Sequence, residues 1–104
     1  MPLYMTQQTT IPITAKTTQI AAGAAGPTVI KASAGTFFGI LTQTSAAGTP
    51  AVFDNASTNA GTIVAQVIAS SIGLQDTISD GVQMVNGITV SGGATAPAMT
   101  IYWL

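Results

Sequence analysis

The sequence predicts an all-β chain: a compact antiparallel β-sandwich with an extended N-terminal arm. Three observations carry that prediction. Ala and Thr each occur seventeen times in 104 residues and Val and Ile are also plentiful, a small and β-branched set that suits half-buried pleated strands. Eleven Gly and five Pro interrupt the chain every few residues. Apolar residues alternate over short runs, and nowhere do they hold the i, i+3, i+4, i+7 spacing of an amphipathic helix between caps.

The first 26 residues stand apart. "MTQQTTIPITAKTTQIAAGAAGP" is rich in Thr and Gln, and its Ala/Gly run ends at Pro27 like a spacer. Residues 1–26 are therefore read as an arm and 27–104 as the sandwich domain. Ile11 and Ile13 flank Pro12 in a β segment suited to a neighbour's sheet edge, where Pro is tolerated. The alternative is an ordered first strand of the same domain, followed by a loop.

After Pro27 the strands follow one another as "TVIKAS", "TFFGILTQT", "TPAVFD", "GTIVAQVIAS", "GVQMVN", "GITVSG" and "AMTIYWL". Simple alternation puts Phe38, Ile40 and Thr42 on one face of the second and Phe37, Gly39 and Leu41 on the other; in "GTIVAQVIAS" it groups Ile63, Ala65 and Val67 against Val64, Gln66 and Ile68. Turn-rich segments separate them at "SAAGTP", "NASTNAG", "SSIGLQDTISDG" and "SGGATAP". Within "VFDNAS", Asp54 and Asn55 suit the turn because their side chains bond nearby N–H groups, and Gly61 permits re-entry into the next strand. Both jelly-roll-like and immunoglobulin-like strand orders fit elements this short.

Charge excludes several functions. With 5% charged residues, a formal net charge of -1, and Lys16 and Lys31 as the only cations, there is no basic stripe to release counterions from nucleic acid or to hold an anionic membrane. The mean hydropathy of +0.52 is not membrane-like in distribution, because polar residues break every apolar run short of the roughly 18 residues a spanning helix needs. The chain reads as soluble, and "MPLYMTQQTT" lacks the basic and apolar regions of a signal peptide.

Chemistry has few places to reside, and the chain is expected not to be an enzyme. Without His or Cys there is no Ser-His-Asp triad and no thiolate nucleophile. Asp76 and Asp80 in "QDTISDG" lie four apart, but a calcium loop of the EF-hand type needs a bidentate Glu and the sequence has none. "SGGATAP" lacks the Lys-Ser/Thr of a phosphate loop. "NAS" at Asn55 matches a glycosylation sequon, a common chance occurrence. No cofactor and no metal are expected.

Several segments in order do resemble a family. "KASAGTFFGILTQT", "VFDNAS", "GTIVAQV" and "NGITVSGGATAPAMTIYW", over about residues 28 to 103, are similar to small tailed-bacteriophage virion proteins. The resemblance implies a capsid decoration (cement) protein on the outer surface of the head, made in the host cytoplasm. Its implied partners are the major capsid protein and further copies of itself, as a dimer or trimer. A head-tail neck or fibre-associated module is the alternative, and an ice-binding or surface adhesin domain a more distant one. Strands apolar on both faces fit an interface, with Tyr4, Ile11 and Ile13 of the arm and Tyr102 and Trp103 of the last strand as candidate contacts. Asp54 is read as structural, so Asp54→Asn is expected to leave assembly nearly intact.

Overall fold

The computed structural model describes residues 14–24, 26–67, 70–75, 81–92 and 95–104, and among these it contains nine β-strands and no helix. Strand starts follow the prolines. Pro27 precedes β2 (Thr28–Lys31), Pro50 precedes β4 (Ala51–Phe53), and Pro97 lies just ahead of β9 (Met99–Trp103). A residue without an N–H and with φ fixed is harmless there, and further in it would break the ladder. The remaining strands are β1 (Lys16–Ile20), β3 (Gly35–Thr42), β5 (Ile63–Gln66), β6 (Gly73–Gln75), β7 (Val82–Met84) and β8 (Ile88–Val90).

These strands form two antiparallel sheets packed as a sandwich. The first runs β1-β9-β3, with β6 and β7 sharing the far edge of β3: β6 pairs with Ile40 to Thr42 and β7 with Gly35 to Phe37. The second runs β2-β8-β4-β5. Between them lie Ile20, Phe37, Ile40, Val52, Met84, Ile88, Val90, Met99 and Ile101, all buried. Most connections cross from one sheet to the other, and of the seven strand pairs only β4 with β5 joins neighbours in sequence.

Three single-residue bulges set which side chains face the core. In β3, Phe37 pairs with Trp103 and Gly39 with Tyr102, leaving Phe38 as an extra residue. That shift places Phe37 and Ile40 in one core cluster, so Ile40 shares its face with Phe37 and not with Phe38 as plain alternation predicts. In β5, Val64 is the extra residue; it packs on the core and turns Ile63 out to 52% exposure, away from buried Ala65. Ile30 plays the same part in β2 and also packs against the core.

Two segments differ from the sequence reading. Lys16 to Ile20 fall within the residues assigned to the arm, yet β1 pairs with β9 along its whole length and Ile20 enters the core. For those residues the ordered first strand holds. Tyr4, Ile11, Pro12 and Ile13 lie outside the described residues. Residues 73–75, inside the stretch read as turn-rich, form β6.

Candidate functional site

Antiparallel pairing gathers one set of strand ends together. Lys16, Trp103 and Phe37 lie in line across the first sheet, while Lys31 pairs with Ile88 and Phe53 with Thr89 in the second. The β2–β3, β4–β5 and β7–β8 connections all turn at this end, which holds every described charged side chain.

The β4–β5 loop is built around two adjacent residues. Asn55 Oδ1 accepts the N–H groups of Ser57 at 2.9 Å and Thr58 at 2.8 Å, and its Nδ2 donates to the Ala60 carbonyl at 3.1 Å. The Asp54 N–H donates to the Thr62 carbonyl at 3.0 Å, and Gly61 at φ +88° returns the chain to β5.

The Asp54 side chain, by contrast, does not bond the N–H groups of its own loop. Its Oδ2 accepts from the Val85 N–H at 3.0 Å and its Oδ1 from those of Asn86 at 2.7 Å and Gly87 at 3.3 Å. Three successive amides of the β7–β8 turn thus form a concave nest of donors around one carboxylate. The Asn86 bond chiefly holds the Asp54 carboxyl below its ordinary range; partial burial opposes it, and the Val85 and Gly87 bonds reinforce it. Such a group stays ionised at neutral pH and is a poor general base, because its lone pairs are already taken.

Other contacts close the same junction. Thr89 Oγ1 donates to the Asn55 carbonyl at 2.8 Å. Gly87 is hemmed in by backbone: a Cβ there would stand 2.7 Å from the Lys31 carbonyl oxygen and 2.8 Å from Ala56 Cα. The β2 end, the β4–β5 loop and the β7–β8 turn therefore meet at a point only glycine can occupy.

The aromatic pair of β9 is split between two surfaces. Trp103 lies on the inner side at this end, partly buried against the core, and its Nε1–H donates to Thr18 Oγ1 at 2.9 Å. Lys16 Nζ stands 5.1 Å from the indole centroid and Lys31 Nζ 6.0 Å, so the only two cations of the chain arrive from different sheets at one ring. Tyr102 sits between Thr17 and Gly39 on the outer face of the first sheet, half-buried.

Exposed apolar side chains concentrate on sheet edges. Val29 on β2, Ile63 on β5 and Leu74 on β6 are 43%, 52% and 51% exposed, with Ile72 just ahead of β6 also outside. Each of these strands has one unpaired side among the described residues. The opposite end of the sandwich carries an open depression of about 360 Å³, lined among others by Gly48, Thr49, Pro50, Ser91, Gly92 and Thr95, with no titratable lining group among the described residues. No group of three metal-binding side chains occurs among the described residues.

Comparison with known proteins adds no identity: no protein-family model, no curated protein and no solved structure matches the chain. Sequence reasoning singled out Asp54 and Trp103 but not their partners. Nothing local marks Val85 to Gly87 as the receivers of Asp54, nor Lys16, Thr18 and Lys31 as neighbours of Trp103, since each contact depends on strand order.

Proposed function

We propose that the chain is a non-catalytic structural module of a tailed-bacteriophage virion, a capsid decoration protein. In this reading it binds the outer surface of the head, bridges neighbouring major capsid subunits and associates with further copies of itself. The observation that carries the proposal is the placement of Val29, Ile63 and Leu74: large apolar side chains stand out on edge strands of both sheets. An uncovered edge offers unpaired backbone N–H and C=O groups, and apolar side chains beside them turn that edge into an association surface. The order of segments that resembles small phage virion proteins supports the same conclusion.

The mechanism needs no reactive group. A shell ruptures when contacts between its subunits give way, and a bridging module adds contacts that must break first. Burial of around 800 Å² on each partner is ordinary for such an interface, and repetition over many copies lets individually weak contacts suffice. With the described carboxylate held by backbone amides, binding through edge strands would rest mainly on apolar area and main-chain hydrogen bonds.

Cosedimentation of the purified protein with undecorated shells, together with the rupture temperature of decorated and bare shells, tests the proposal. Binding accompanied by a higher rupture temperature is the expected result. Neither binding nor any change in rupture temperature would overturn it.

A further inference from the structure

We propose that the Lys16–Trp103–Lys31 end of the sandwich is a docking surface for a carboxylate-bearing segment of a partner protein. The inference deepens the assembly reading above and rests on it, since it names the chemistry of one contact.

Charge placement is the first support. A chain with two cations has both within 6.0 Å of one indole centroid, one from β1 at the edge of the first sheet and one from the end of β2 in the second. No side-chain carboxylate forms an ion pair with either lysine among the described residues. Asp54, the one described acid, lies at the same end but is occupied by the amides of Val85, Asn86 and Gly87. An incoming carboxylate would be attracted by both lysines, and no side-chain carboxylate of the described residues is free to take that place.

Rigidity is the second. Trp103 is fixed by the core on one side and by its bond to Thr18 on the other. The ring is thus held in place before anything binds, which lowers the entropic penalty of docking. A half-buried tryptophan matches the composition of interface anchors. Carboxylates are favoured over nucleic-acid phosphates because two lysines and a net charge of -1 make a small local positive patch without the extended basic stripe a polyanion needs.

The sole tryptophan of the chain reports on its own site. Intrinsic fluorescence of the full chain is followed at low ionic strength during titration with hexaglutamate, with a Gly/Ser hexapeptide as neutral control. Expected is a saturable change with hexaglutamate alone, suppressed by added salt and weakened about tenfold in Lys16→Gln/Lys31→Gln, the sum of two exposed ion pairs of ordinary strength. Both substitutions keep the aliphatic stem, and circular dichroism checks that the variant is folded. No saturable change, an equal response in the double variant, or a stronger response to a single-stranded oligonucleotide or to inorganic phosphate would each overturn the inference. Shell binding is measured separately on the same proteins. Its absence with hexaglutamate binding intact sinks the decoration reading and not the site, while undiminished shell binding by the double variant sinks the site's part in assembly.

Discussion

The Asp54 carboxylate accepts the Asn86 amide N–H at 2.7 Å across thirty-two residues of chain, joining the loop after β4 to the turn before β8. With the Val85 and Gly87 amides on the same carboxylate, it is the main polar tie between these two connections. The acid that composition makes conspicuous is thereby explained as a clamp. Asp54→Ala should lower stability by about 1 kcal/mol, below the usual range for hydrogen bonds to a charged group because Val85 and Asn86 are exposed and water replaces part of the loss. Asp54→Asn keeps one acceptor but turns an NH₂ toward an N–H donor, so it should fall between wild type and Asp54→Ala. Chemical denaturation of the three proteins gives the order, and equal midpoints would remove the clamp from the account. Folded Asp54→Asn should retain shell binding, since the side chain faces an internal turn.

The same bonds predict an acid-side pH dependence. The folded carboxyl is depressed below an unfolded value of about 3.9, so its contribution is fully present well above that value and is lost as the pH falls through the lowered folded value. Wild type should lose stability relative to Asp54→Ala from about pH 4 downward, and the difference between them should be flat between about pH 5 and 8, where no histidine titrates. Asp76 and Asp80 are common to both proteins and cancel in the difference. A gap that widens on acidification would contradict the assigned direction.

Two glycines of the junction should behave differently. Gly61 has φ +88° but open surroundings, its nearest non-neighbouring atoms standing 3.8 Å from an added Cβ, so Gly61→Ala costs backbone strain alone, about 1 kcal/mol. Gly87→Ala drives a methyl to 2.7 Å from the Lys31 carbonyl oxygen, and the obstructing atoms are backbone that cannot rotate aside. It should cost clearly more, about 2–3 kcal/mol or above, and loosen the Asp54 bonds with it. Thermal melts of the two variants decide the order; a smaller loss for Gly87→Ala would show that the three segments do not meet tightly.

How far the fold was readable follows from what each feature depends on. The all-β class rested on residue type and short alternation, both local; β2, β4, β5, β7, β8 and β9 each fall inside a stretch read as strand, and β3 starts one residue ahead of its stretch, at Gly35. The facing of Phe37, Phe38 and Ile63 was not readable, because a bulge is an offset between two strands and only the partner's register reveals it. β6 is three residues beginning with Gly and has no pattern of its own; β3 makes it a strand by pairing with it. The partners of Asp54 and Trp103 were hidden for the same reason, since six of the seven strand pairs join segments distant in sequence.

Edge strands supply the sharpest test of assembly. Ile63 on β5 and Leu74 on β6 are about half exposed, so Ile63→Lys and Leu74→Lys remove little core packing and should change stability by no more than about 0.5 kcal/mol. Met99, fully buried between the sheets, provides the contrast: Met99→Ala should cost about 2–5 kcal/mol. Lysine on an edge is the device by which natural sheets resist pairing with another chain, because its charge must be desolvated for a second strand to approach. If edges carry the assembly, the two lysine variants should melt like wild type yet lose self-association in size-exclusion chromatography with mass measurement, and lose occupancy on undecorated shells. Unchanged association and occupancy in both would place the interface elsewhere, and the outer face around Tyr102, midway along the line from Thr17 to Gly39, is then the surface to substitute next.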